Sequence, residues 1–227
     1  HNMLSVLSMR IRPDSSIMSE NHEFHHGFSG TSIIDEMTGL HNRQWIEEKI
    51  SRYLRRNVFD KQPSCLMMVK IDQFKELDDK YGQLGSEQVL RDTARTMLSC
   101  LRPDDQAGHF IGEQFAVFMP HTTLADGCIA AERLRTAVSG SVVVLPSGDA
   151  LPPISVSLGV SLANLDGTPV SLFARAHEAL QQAAESGGNC VKWWDKDLER
   201  ETAQLSAEVD TALPVKPFMS LWPGGAT

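Results

Sequence analysis

Apolar residues three and four apart alternate along this chain with short runs that are apolar throughout or at every second position. Between Asp35 and about Arg56, Leu40, Trp45, Ile46 and Ile50 can share one side of a helix. Pro63 closes the link that follows. The run CLMMVKIDQF (65–74) is nearly continuously apolar, the pattern of a strand buried on both faces. Residues 84–101 return to a helical period, with Val89, Leu90, Ala94, Met97, Leu98 and Leu101 on one side, and Pro103 stops that helix. In GHFIGEQFAVFMP (108–120) two short β-type runs flank Ile111-Gly112-Glu113, a hairpin signal. A helix is predicted over 123–138, a strand over SVVVL (141–145) and a turn from Pro146 to Pro153. The segment ISVSLGVSL (154–162) alternates with period two, which predicts a strand with one buried face. Residues 169–186 read as a helix closed by Gly187-Gly188, and CVKWW (190–194) as a last strand.

This order of elements predicts an α+β fold, a mixed central β-sheet flanked by helices. Residues 1–34 are Ser-, His- and Met-rich without a sustained period and read as a flexible lead-in, with His1-Asn2 resembling a tag scar. Residues 35–194 form the predicted domain, and 195–227, polar and then Pro-rich, a C-terminal tail. A length of 227 residues, 41% of them apolar, suits one domain of ordinary size with tails.

A net charge of −8 argues against a general nucleic-acid or anionic-membrane binder, although a local basic spot can still hold a small anion. No apolar run approaches the ~18 residues of a membrane span, and no signal-peptide pattern is visible, so a cytoplasmic protein is expected. Cys65, Cys100, Cys128 and Cys190 are widely spaced with no C-x-x-C pair, which favours reduced, mostly buried thiols over a zinc or redox site. His22, His25 and His26 read either as metal ligands or as a disordered cluster beside a tag. Trp193 and Trp194 read as sheet packing, whereas Trp222 in the Pro-rich tail is a better candidate for a partner surface.

Several segments, in order and with natural spacing, resemble the GGDEF (diguanylate cyclase-like) domain family. DEMTGLHNRQWIEEKI resembles its Asp-x-x-Thr-Gly-Leu-x-Asn-Arg opening, and VKIDQFKELDDKYG its strand-to-helix segment. IGEQF falls at the signature, ISVSLGVSL at the next strand, and AHEALQQAAESGGNCV at the last helix and turn. The resemblance covers residues 35–194 and implies a palm-like, ferredoxin-like core. It also implies synthesis of cyclic di-GMP from two GTP, with metal ions between carboxylates and triphosphate.

Position by position, that chemistry is depleted. Where the family has its metal-ligating first Asp stands Lys70, while Asp72, the second Asp, is kept. Lys70 is expected to take the metal's place and pair with Glu113 or Asp72. Within the signature, Ile111 replaces the first Gly, Gly112 and Glu113 are kept, and Gln114 replaces the second acid. A β-branched Ile fits poorly where phosphate must approach the backbone. The guanine-reading positions carry Asp78 and Glu87, and the cationic positions of the last helix and turn carry Ala184 and Gly188. The resemblance thus implies a vestigial active site at Lys70, Asp72, Asp78, Glu87, Gly112, Glu113 and Gln114, with no catalysis and no Mg.

A family product site, Arg-x-x-Asp with its Arg nine positions before the first signature Gly, matches Arg102 and Asp105. Arg can grip guanine or phosphate bidentately, and Asp can accept from the guanine edge. A second ligand-binding Arg often comes from the following helix. Of Arg133 and Arg135, Arg133 fits the spacing better. Arg-Pro-Asp-Asp also reads as a plain solvated turn. The expectation is a cyclic di-GMP receptor or regulatory module, acting through a homodimer or a partner protein. The alternatives are a nucleotide-independent dimerisation or interaction scaffold and, less favoured, residual GTP binding or cyclase activity.

Overall fold

The continuously apolar run forms strand β1 (Cys65–Ile71), the middle of a five-stranded sheet. A computed structural model describes residues 32–60, 62–163 and 168–194, apart from the side chains of 57–60. The elements are α1 (Arg43–Asp60), β1, α2 (Phe74–Cys100), β2 (Gln106–Ile111), β3 (Gln114–Met119), α3 (Leu124–Ser139), β4 (Val156–Leu162), α4 (Pro169–Glu185) and β5 (Val191–Trp193). The sheet order is β2-β3-β1-β4-β5, antiparallel except for the β4–β5 pair. The His-rich cluster at 22–26 and the tail with Trp222 lie outside the described residues.

Side chains alternate across the sheet into two cores. Cys65, Met67, Val69 and Ile71 of β1 face α2 and α3, where Val89, Met97, Leu134 and Val138 are buried. Leu66 and Met68 face the other way, onto Ile46 and Ile50 of α1 and Leu172, Ala176 and Leu180 of α4. With both faces covered, the strand has no use for polar alternation, which is why its sequence reads as a run.

Several sequence expectations change. The first helix begins at Arg43, not near Asp35, capped by Asn42 Oδ1, which accepts from Trp45 N (2.9 Å). Residues before it fold into a turn. Asp35 Oδ1 accepts from Thr38 N (2.9 Å) and Thr38 Oγ1 (2.6 Å), and Gly39 has φ 73°. These local bonds offer the backbone an alternative to helix. The second helix starts ten residues earlier than predicted, at Phe74, and is broken at Gly82 (φ 68°, ψ 179°). Leu98, predicted to be on its inner side, is 53% exposed. SVVVL joins no sheet; it makes one isolated bridge, Val144 to Ala150, while Val143 alone is buried.

The strand β4 buries both faces, not one. Its alternate Ser157, Gly159 and Ser161 are not solvated; they make room for α4. A Cβ on Gly159 would lie 2.1 Å from Leu180 N and 2.2 Å from Ala176 O. Of the two tryptophans assigned to sheet packing, Trp193 is 46% exposed, and Trp194 is half-buried beneath the Arg175 guanidinium. Of the four free thiols only Cys65 is fully buried; Cys100, Cys128 and Cys190 are partly so.

Candidate functional site

At one end of the sheet, β1 stops, the β2–β3 hairpin turns, β4 begins and the turn between α4 and β5 closes over them. Register places Lys70 beside Gln114 on one side and Ser157 on the other. All three therefore sit on the face toward α1 and α4, as a polar row at the edge of an apolar core. Lys70 Nζ lies 3.4 Å from Glu113 Oε1. Lys70 also reaches His177 of α4, whose pKa is held down by burial and then by the ammonium's charge.

Asp72 is fully engaged. Its Oδ2 accepts from Ser155 Oγ (2.6 Å) and Asn189 N (2.8 Å), and its Oδ1 from Ser157 Oγ (2.6 Å). The backbone of Gly188 (φ 75°) packs so close that an added Cβ would meet the carboxylate at 3.1 Å. Asp72 thereby ties β1, β4 and the closing turn together. The polar alternation of ISVSLGVSL was the available sequence signal for its partners.

The hairpin tip is Ile111-Gly112-Glu113. Gly112 takes φ 54°, which suits glycine, and Ile111 is 56% exposed. Asp78 and Glu87, the positions that the resemblance assigns to guanine, bond within their own helix α2. Asp78 Oδ1 accepts from Ser86 Oγ (2.6 Å) across the Gly82 break. Glu87 accepts from Gln83 Nε2 (2.9 Å) and pairs with Arg91 (2.8 Å). Ala184 is exposed near the end of α4 and brings no charge. Among the described residues, no three His, Cys, Asp or Glu side chains converge in a way that could hold a metal ion.

About ten residues upstream of the tip, Arg102 to Asp105 form a closed turn. Arg102 N donates to Asp105 Oδ2 (2.8 Å), and Asp105 N donates back to Arg102 O (3.1 Å). The Arg102 residue is exposed, and its guanidinium has no partner among the described residues. Arg133 comes to the same end of α2 from α3, donating through Nη2 to Cys100 O (2.5 Å). Arg135 is held elsewhere, by the Glu132 carboxylate and Asn189 Oδ1 (2.8 Å). The predicted trio of Arg102, Asp105 and Arg133 is thus gathered around the α2 terminus, while Arg135 is not available to it.

A histidine that no sequence motif marks completes this region. His109 of β2 sits between two acceptors. Its Nδ1 lies 3.1 Å from Asp35 Oδ1 in the turn before α1, and its Nε2 lies 2.7 Å from Gly112 O at the hairpin tip. Burial pushes the His109 pKa down, but the bonds to Asp35 and to Gly112 O outweigh it and leave the value raised. Burial pushes Asp35 up, and the His109 and Thr38 bonds outweigh that, bringing its carboxyl down to about 2.

The family model for the diguanylate cyclase GGDEF domain matches residues 32–190. The response regulator PleD of Caulobacter vibrioides is 36% identical over 161 residues, 70% of this chain and 36% of PleD. The chain therefore spans about a third of that relative's length. The GGDEF domain of DgcB from Caulobacter crescentus, solved in complex with c-di-GMP, superposes with TM-score 0.71 at 26% identity, covering 75% of this chain and 98% of that one. The diguanylate cyclase SiaD of Pseudomonas aeruginosa, solved with its activator SiaC, gives TM-score 0.68 at 33% identity over 71% of this chain and 62% of SiaD.

Proposed function

The chain belongs to the GGDEF family of diguanylate cyclase domains, and from that premise we propose that it binds cyclic di-GMP at Arg102, Asp105 and Arg133 without making it. The observation that carries the reading is the Arg102 turn. Asp105 fixes the backbone of the turn, so the free Arg102 guanidinium projects from a preformed base rather than a floppy loop. Asp105 Oδ1 remains for a guanine edge, and Arg133 presents further N–H groups from a second element. A dinucleotide with two phosphates and two guanines matches cations of this kind. That the GGDEF domain of DgcB was solved with c-di-GMP supports the choice of ligand.

The absence of synthesis rests on the other end of the hairpin. Attack of a ribose hydroxyl on an α-phosphate needs a divalent ion held by carboxylates, and cations on the triphosphate. The donor set does not fit such an ion. An ammonium, Lys70, stands in the ligand position and neutralises Glu113, while Asp72 already accepts three hydrogen bonds. Ile111 at the tip also narrows the approach of phosphate to the backbone.

Calorimetry with cyclic di-GMP on the intact chain and on Arg102→Ala tests the proposal. Hydrogen bonds to a charged group contribute about 1.5–3 kcal/mol each, so Arg102→Ala is expected to weaken binding by about tenfold to a hundredfold. No binding by the intact chain, or equal binding by both, refutes it. Cyclic di-GMP formed from GTP with Mg or Mn refutes the silent half. A nucleotide-independent interaction module is the second reading. It is favoured by Ile129 (66% exposed) and Trp193 (46% exposed), which line one groove between α3 and β5.

A further inference from the structure

A neutral imidazole has one N–H donor and one bare nitrogen. His109 faces two groups that accept, a carboxylate at Nδ1 (3.1 Å) and a peptide carbonyl at Nε2 (2.7 Å). Gly112 O cannot donate, and the Asp35 carboxyl, held down to about 2, is ionised near neutrality. Both contacts are hydrogen bonds only if the ring carries two protons. A neutral ring must leave one acceptor facing a lone pair.

We propose that His109 is a proton-operated latch that, when doubly protonated, ties the N-terminal turn of the domain at Asp35 to the hairpin tip at Gly112, and on losing a proton releases one of them. The two tied segments are joined independently at only a few points. His109 N donates to His41 O (2.8 Å), and His41 bridges Gly108, so the segment after the Asp35 turn also lies along the outer edge of β2. Within the hairpin itself the pairing at the tip is irregular. The β2–β3 register slips between His109 and Ile111, and Ile111 is exposed. On either side of Gly112 the tip is held at Glu113, whose O accepts from Ile71 N (3.2 Å) and whose carboxylate faces Lys70 Nζ (3.4 Å), and at Phe110, which stacks on Phe173. The imidazolium acts between these two holds, on Gly112 O.

The charged surroundings leave Asp35 as the group that answers to this proton. From β3, the ring meets Phe115, centroids 5.3 Å apart. At the tip, Glu113 is turned to Lys70. From α1, Arg43 lies over the Phe110 ring and pairs with Glu47 (2.8 Å). Glu36, next to Asp35, is exposed. His41 stacks on Trp45 with its own pKa held down by burial, so it adds no competing charge near neutrality.

The sign follows from the raised value of His109. The latch is fully closed below the ordinary histidine value of about 6.5, and opens as pH rises through the higher folded value. Each pH unit past that point changes the ratio of neutral to charged ring about tenfold. The hairpin that opens carries the signature segment and follows directly on the Arg102 turn. The latch thus offers a route by which the turn at Asp35 and the pH bias this face of the domain.

Long-range nitrogen–proton NMR on the imidazoles, with His109 assigned by its loss in His109→Gln, reads the protonation state directly. Hydrogen exchange at residues 106–114, compared at each pH with His109→Arg, reads the tie. The expected result is two protonated ring nitrogens at pH 6, and hairpin exchange that quickens several-fold across the His109 titration in the native chain. His109→Arg keeps its charge throughout, so its exchange should follow only the intrinsic pH trend. A His109 ring neutral at pH 6, or hairpin exchange that parallels His109→Arg from pH 6 to 9, overturns the latch. Neither readout depends on nucleotide binding, so failure here leaves the cyclic di-GMP proposal standing, and the reverse.

Discussion

Asp72→Ala separates a structural carboxylate from a relic of a metal site. Three donors converge on Asp72: Ser157 Oγ at 2.6 Å, Ser155 Oγ at 2.6 Å and Asn189 N at 2.8 Å. Ser157 is fully buried, so its hydroxyl would be left with no partner and no water. Hydrogen bonds to a charged group contribute about 1.5–3 kcal/mol, and Ser157 warrants about 2 kcal/mol on that scale. Ser155 is half-buried and Asn189 exposed, so each recovers water and counts for about 1 kcal/mol or less. The bonds share one acceptor group and are not independent, so the expected loss is about 3 kcal/mol rather than their maximal sum. With a urea m-value of about 2 kcal/mol/M for a domain of this size, the midpoint should fall by about 1.5 M. Urea unfolding followed by far-UV circular dichroism measures it, with Asp72→Asn as a control that keeps the shape and part of the bonding. A midpoint shift below about 0.5 M for Asp72→Ala would show that the three bonds do not hold β1, β4 and the closing turn together.

Gly159→Ala should prevent folding or cost more than about 3 kcal/mol, because the new Cβ meets the α4 backbone at 2.1 Å from Leu180 N and cannot be relieved by a rotamer. Thermal unfolding checks this, and a near-native Tm would refute the close approach of α4 to β4. Asp35 carries a folded value of about 2 against an ordinary 3.8, so its contribution is present above the ordinary value and lost as pH falls toward 2. The shift of nearly two pH units corresponds to about 2 kcal/mol before solvent screening, and about 1–2 kcal/mol after it, since the side chain is about a quarter exposed. The native chain should therefore lose stability relative to Asp35→Asn between about pH 4 and pH 2, with equal slopes for the two refuting the assignment.

How much was legible depended on the range of the interactions. The central run CLMMVKI announced a strand covered on both faces, and the buried pattern of β1 agrees, because burial is recorded residue by residue. The hairpin was legible from two β-type runs about a glycine, and Gly112 adopts a positive φ. The alternation of β4 misled, because period two marks a change of environment and not which environment it is. Small residues facing a helix and polar residues facing water write the same pattern, and only the position of α4 over Gly159 distinguishes them. The helix signal of 35–56 failed over its first eight residues, up to Arg43, for a local reason, the competing bonds of Asp35 and Thr38.

At the site the division is similar. The sequence by itself determined which charges are present: an ammonium at Lys70, a single carboxylate in the signature, and an Arg-Pro-Asp-Asp turn after a helix. Those identities fix the sign of the charge at each position, since charge belongs to the residue type. Only the tertiary structure decided where each charge is directed. It turned Glu113 to Lys70, surrounded Asp72 with donors from β4 and the closing turn, left the Arg102 guanidinium without a partner among the described residues, and set His109 between the distant Asp35 carboxylate and the nearby Gly112 carbonyl. Hydrogen bonds reach about 3 Å, and although Arg102–Asp105 and His109–Gly112 are local, the partners of Asp72 and the Asp35–His109 pair lie tens of positions apart along the chain, so only the folded sheet brings those within range.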